Sequence, residues 1–122
     1  MKEIKFRGRK EHSKEWVYGN LVQFDWADFI VKYGSFEERW RVIPESVGQY
    51  TGRKDKNGVE IYEGDILKTY PIISSDGIGD DSFNVEVKWS GSCFVANGVL
   101  GALQAEISEV IGNIYQNPGL LN

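Results

Sequence analysis

The stretch Gln49–Leu67, QYTGRKDKNGVEIYEGDIL, decides the fold. Asp55-Lys56-Asn57-Gly58 sits at its centre. An Asp carboxylate at a turn accepts a hydrogen bond from a backbone amide two residues on, and Asn and Gly tolerate positive φ. The flanks, Gln49–Thr51 and Val59–Ile61, read as strands, so the segment predicts a β-hairpin whose loop ends in a glycine bulge. Glu63-Gly64-Asp65-Ile66 repeats the device at the entrance to the next strand. There glycine lets the chain turn a corner, and the carboxylate ties down amides. Asp55 and Asp65 are therefore expected to be structural.

Two chemical readings of the same stretch fail on spacing. Aligned on Gly58, an EF-hand loop would begin at Arg53 and end at Gly64, where calcium requires an acidic first ligand and a bidentate Glu last. No Gly-x-x-x-x-Gly-Lys-Ser/Thr is present, and no Gly-x-Gly-x-x-Gly leads from a strand into a helix, so neither phosphate loop is supported.

Outward from the hairpin, period-two alternation recurs. Lys2–Arg7 and Trp16–Leu21 read as a hairpin across the polar Gly8–Lys14 segment. Phe29, Val31 and Tyr33 alternate after the "DWAD" turn, and Trp40–Ile43 stops at Pro44, which cannot donate to a ladder. Phe83, Val85, Val87 and Trp89 alternate most cleanly. Cys93–Ala96 and Val110–Tyr115 complete the strands. Pro71–Ser82, rich in Gly, Ser and Asp, is the expected mobile loop. Val99–Ile107 is the one candidate helix, weakened by Gly101. The expected fold is all-β and mostly antiparallel, with an N-terminal hairpin region, a small barrel-like C-terminal part and at most one short helix.

The chain has 122 residues, enough for a single domain over 1–122, with a division into 1–45 and 46–122 as its natural seam. Aromatic content of 13% leans toward pleated surfaces. The net charge of −4 makes the whole chain a poor default ligand for phosphate backbones, so nucleic acid is a secondary expectation. The first 20 residues run the other way, with six Lys and Arg against three Glu. A single cysteine, Cys93, excludes an internal disulfide and fits a reducing compartment. No apolar run approaches the length of a membrane span, and a soluble cytoplasmic protein is expected.

Candidate chemistry is sparse. His12, the only histidine, lies among Lys10, Glu11, Ser13 and Lys14, a poor place for a general base. One His and one Cys do not make a zinc site within one chain. Asp76, Asp80 and Asp81 form an acidic loop cluster read as solvated charge, with weak cation binding as the alternative. No catalytic residue, cofactor or metal is assigned, and a non-enzyme is expected; a carboxylate hydrolase is the remote alternative. The residues picked out for partner binding are Lys5, Arg7, Arg9, Trp16 and Tyr18, a basic arm beside an aromatic-rich third of the chain. Small β domains stack bases on such side chains, and subunit interfaces favour them too.

IKFRGRK (4–10), WVYGNL (16–21), VIPESVGQYTGRKDKNGVEIYEGDIL (42–67), VEVKW followed by CF, and EVIGNIYQNPGLL (109–121) fall in an order that resembles the YopX family of small phage and prophage proteins. The resemblance spans nearly the whole chain. It implies an all-β fold, a phage origin and a place in the host cytoplasm, and it carries no catalytic residues. The functional expectation is a non-enzymatic binding or assembly module, a homo-oligomer with a protein partner in view and no membrane contact. The alternative is a nucleic-acid-binding protein that uses the basic arm and nearby aromatics.

Overall fold

Phe6–Arg9 (β1) and Trp16–Phe24 (β2) form the expected antiparallel hairpin, with Arg7 opposite Tyr18 and Arg9 opposite Trp16; Gly8 and Arg9, expected in the polar connection, belong to β1 because they continue its ladder with Val17 and Trp16. Their connection is tied by Lys10 N–H donating to Glu15 O at 2.8 Å and by Lys14 at φ 64°, the one non-glycine residue with positive φ among those described. Ala27–Val31 (β3) follows β2 through a two-residue turn, Asp25-Trp26, and Arg39–Val42 (β4) pairs with β3. A 3₁₀ turn at Pro44–Ser46 then leads into Gly48–Lys54 (β5), which pairs with the other side of β1.

The computed structural model describes residues 4–32, 37–70, 72–73, 77–78, 81–89, 94–96 and 105–121. The chain divides into two units, Met1–Gly52 and Arg53–Asn122, and the division falls inside β5.

The first unit holds β1 to β4 and the start of β5, in the sheet order β4-β3-β2-β1-β5. One face packs Val17, Ile30 and Val42 with Phe6, Leu21, Trp40 and Val47. The ends of β4 and β1 also approach: Ile43 N–H donates to Arg9 O at 2.9 Å, and Glu11 N–H to Arg41 O at 3.2 Å. In β3 the deepest side chain is Ile30, fully buried, while Phe29 lies on the opposite face. The outward placement of Phe29 follows from register, because it stands opposite Val22 and Arg41 on the face away from Ile30.

The second unit holds Glu60–Tyr62 (β6), Asp65–Thr69 (β7), Ile72–Ile73 (β8), Gly77–Ile78 (β9), Phe83–Trp89 (β10), Phe94–Ala96 (β11) and Glu109–Asn113 (β12). Its main sheet runs β11-β10-β7-β12, all neighbours antiparallel. Ile61, Leu67, Val85, Val87 and Ala105 form its core, with Phe83 and Val110 against them. β12 carries a bulge at Ile111, since Val110 faces Leu67 and Gly112 faces the adjacent Ile66. The expected Pro71–Ser82 loop contains the short β8–β9 ladder, Ile72 opposite Ile78. The Trp89 end of β10 runs past the core and is half exposed, although its alternation continues inward from Val85 and Val87.

The all-β, antiparallel expectation holds. The described strands do not close a barrel. Most of the candidate helix at Val99–Ile107 lies outside the described residues; its last three, Ala105–Ile107, form a 3₁₀ turn. Tyr33, Phe36, Asp76, Asp80 and Cys93 also lie outside them. Among the described residues no helix is long and apolar enough to cross a membrane.

The opening hairpin is built as its sequence predicts. Asp55 Oδ1 accepts from Asn57 N–H at 2.8 Å and from Val59 N–H at 2.9 Å. Gly58 has φ +83° and Gly64 φ +92°. These two glycines differ in surroundings. A Cβ on Gly58 would meet nothing within 4 Å, whereas one on Gly64 would stand 3.0 Å from the Tyr115 ring. Each substitution by alanine carries the left-handed backbone cost of about 1–2 kcal/mol. Gly64→Ala adds overpacking of about 1–3 kcal/mol against a ring held in place. Gly58→Ala is expected to lower the unfolding free energy by about 1 kcal/mol and Gly64→Ala by about 3 kcal/mol, measured as paired urea transitions. Equal losses would show that Tyr115 yields at no cost.

Candidate functional site

The outer face of the first unit's sheet follows from the strand register. On β2 the outward residues are Trp16, Tyr18, Asn20, Val22 and Phe24, alternating with the inward Val17 and Leu21. Arg9 stands beside Trp16 and Arg7 beside Tyr18, while Phe29 of β3 links Val22 to Arg41 of β4. One face of a single sheet therefore carries aromatic and cationic side chains side by side.

Cations stack on rings across this region. The Arg7 guanidinium lies 4.4 Å from the centre of the Trp16 ring, and Arg9 approaches the same ring at 5.9 Å. Lys5 Nζ sits 5.4 Å from the centre of Tyr50, whose backbone N–H donates to Lys5 O at 2.7 Å. Such contacts stabilise by about 0.5–1 kcal/mol where exposed and more where water is excluded. The five residues singled out from the sequence are thus neighbours along β1 and β2, and part of the set is internal. Arg7 is only 6% exposed and Trp16 half-buried, while Tyr18 is 48% exposed.

The more accessible aromatics lie at the β2–β3 turn. Phe24 and Trp26 stack with centroids 5.4 Å apart, and Phe29 meets both edge-on at 5.8 and 5.6 Å. Trp26 is 64% exposed and Phe24 43%. Burial drives most aromatics inward, at about 25 cal/mol per Å² of apolar surface, so three rings gathered at a turn tip with two of them open to water is an informative departure. Arg41 holds the tip from the side. Its guanidinium carbon is 5.6 Å from the Trp26 ring centre, an Nη donates to Trp26 O at 3.4 Å, and Nε pairs with Glu11 at 2.8 Å.

Beside the tip, Lys10, Glu11, His12, Arg39, Trp40 and Arg41 line a cleft of about 500 Å³. Lys10 Nζ lies 5.7 Å from the Trp40 ring centre. The exposed His12 sits at the rim as the polar turn predicted. Neither the tip nor the cleft was singled out from the sequence. The "DWAD" turn was its local signal, since aromatics that flank a tight two-residue turn have no following chain to cover them.

The charge balance separates the units. Met1–Gly52 carries nine Lys and Arg against eight Asp and Glu, and Arg53–Asn122 carries five against ten. The acidic character of the chain resides in the second unit, so its net charge says little about the face described above.

The carboxylates of the central motif are occupied by the backbone. Asp55 is 6% exposed, and its Oδ2 accepts from Val110 N–H at 2.9 Å in addition to the two turn amides on Oδ1. Burial alone would raise its pKa. The amides of Val110, Val59 and Asn57, with the nearby Lys56 charge, outweigh burial and hold it below the ordinary carboxylate value. Asp65, 2% exposed, accepts from Tyr62 N–H at 2.7 Å. Glu106, fully exposed, is also lowered, by its own backbone amide and then by its ion pair with Arg53. Ser108 Oγ donates to Thr69 Oγ1 at 2.9 Å, and Ile114 N–H to Gly64 O at 2.9 Å. The two long motifs, Gln49–Leu67 and Glu109–Leu121, thus meet inside the second unit.

Among solved structures, the chain is similar to protein EF1440 from Enterococcus faecalis, with a TM-score of 0.64 at 28% sequence identity and 100% of both chains covered. No curated protein matches it. The family model described as YopX protein matches residues 5–122, both units and both motifs included. The chain belongs to the YopX family.

Proposed function

We propose that this YopX protein is a non-enzymatic binding module whose working surface is the outer face of its N-terminal sheet. The observation that carries the reading is the exposed Phe24–Trp26–Phe29 cluster clasped by Arg41. Solvent-facing aromatic clusters beside arginine are the composition that binding hot spots favour. The buried carboxylates of the central motif point the same way, because Asp55 and Asp65 are engaged by backbone amides. The family resemblance adds a phage origin and action in the host cytoplasm to this reading.

Affinity capture from cells that produce the tagged protein tests it, with the wild type compared against a Phe24→Ala/Trp26→Ala double variant. Both side chains are exposed, so the variant is expected to fold, which circular dichroism checks. The macromolecules retained by the wild type should fall at least tenfold in the variant. Identical retention by the two proteins would exclude this face as the working surface.

A further inference from the structure

The chemistry around Trp26 defines a class of partner. Phe24, Trp26 and Phe29 give a ring platform at the turn tip, and Arg41 touches that platform while also lining the neighbouring cleft with Lys10 and Arg39. Aromatic and cationic side chains therefore adjoin one another: the tip, Arg41 against it, and a cleft lined by Arg41, Arg39 and Lys10, with Lys10 near the ring of Trp40, which itself packs toward the core. A single strand offers the complementary chemistry, flat bases to stack and phosphates to neutralise. A duplex hides its base faces. We propose that this tip and cleft bind single-stranded nucleic acid, with a base stacked on Trp26 and backbone phosphates held by Arg41, Arg39 and Lys10. The inference rests on the outer face being the working surface.

Ion pairs with acids temper the site. Glu11 pairs with Arg41, and Glu15 approaches Lys10 at 3.9 Å. All four side chains are substantially exposed, at 40–70% except Lys10 at 32%. Ion pairs in such positions are weak, so a phosphate can exchange for a carboxylate at small cost. An arginine already held beside Trp26 through its hydrogen bond to Trp26 O is also preordered for a phosphate beside a stacked base.

The test is fluorescence anisotropy with labelled dT12 and rU12 and with a 12-base-pair duplex, at 20 and 200 mM salt. Both single strands are expected to bind, and the duplex at least tenfold more weakly. With about three phosphates neutralised, the tenfold rise in salt should weaken single-strand binding about 100-fold. Trp26→Ala should cost about 5- to 150-fold, the range for one lost stacked base. Arg41→Ala should flatten the salt dependence by about one phosphate contact. Trp89→Ala, an exposed tryptophan of the second unit, serves as control and should change nothing. No binding of either single strand at 20 mM salt overturns the inference and leaves the module reading to the capture comparison. Binding that Trp26→Ala and Phe24→Ala leave intact places the strand elsewhere and overturns both. A concentration-dependent dimer by light scattering, abolished by Trp26→Ala, in a protein that binds no single strand, would assign the face to a second copy and also overturns the inference.

Discussion

Asp55→Ala is expected to lower the stability of the second unit by about 3–5 kcal/mol. The carboxylate accepts three backbone amides, from Asn57 and Val59 within its own turn and from Val110 on β12. A hydrogen bond to a charged group contributes about 1.5–3 kcal/mol, and a buried amide left without an acceptor costs about 1–3 kcal/mol. Water can reach part of the turn, which keeps the total below the simple sum. A domain is stable by about 5–15 kcal/mol, so the loss is a large share of what exists. Asp55→Asn separates charge from shape: it keeps one carbonyl acceptor and turns an NH₂ donor toward an amide donor. It should fall between wild type and alanine. Urea transitions followed by far-UV circular dichroism give the magnitude. Hydrogen exchange should show the loss in β6, β7 and β12. A change below about 1 kcal/mol in the alanine variant would mean that the three amides find other acceptors.

The same carboxylate gives the second unit an acid dependence with a definite sign. Its folded pKa lies below the unfolded value of about 3.9. A depressed carboxyl binds its proton more weakly when folded, so its contribution to stability is complete above the unfolded value and disappears as pH falls through the folded one. The wild type should therefore lose stability below about pH 4 more steeply than Asp55→Asn, and the two curves should converge at the acid end.

How much of this was legible in the sequence depends on the range of each interaction. The Asp55–Gly58 turn could be read because its decisive bonds reach two and four residues along the chain. The bond from Val110 spans 55 residues and left no local trace, yet it joins the two long motifs. The alternation of β2 gave its two faces but not which one is buried; that was set by Ile30 and Val42 arriving from β3 and β4. For the same reason the basic arm was only partly a surface feature, since Arg7 is covered where it stacks on Trp16. The Trp26 tip lay at a turn visible in the sequence. Its link to the Lys10–Trp40 cleft arises only when β4 returns to the end of β1.

Gly19→Ala is the matching test in the first unit and is expected to cost more than about 3 kcal/mol. Gly19 lies mid-strand in β2 but at φ +158°, a backbone conformation that residues with a side chain rarely adopt. The neighbouring strand supplies a second reason. A Cβ there would stand 2.2 Å from the carbonyl oxygen of Val31 and 3.0 Å from its carbonyl carbon. Both atoms are backbone, so no rotamer change relieves the contact. β2 and β3 would have to part at the point where Ile30, the most deeply buried side chain of this core, is packed. Extra volume forced into a packed core costs about 1–3 kcal/mol when side chains can shift, and displacement of a paired strand exceeds that. Amide exchange in β2 and β3 should rise, and the Phe24–Trp26–Phe29 tip on that hairpin should lose its order. The proposed single-strand binding should then weaken along with stability, whereas Trp26→Ala is expected to weaken binding alone. A Gly19→Ala protein as stable as wild type would mean that the backbone at this point accepts a side chain and that β2 and β3 part there at no cost.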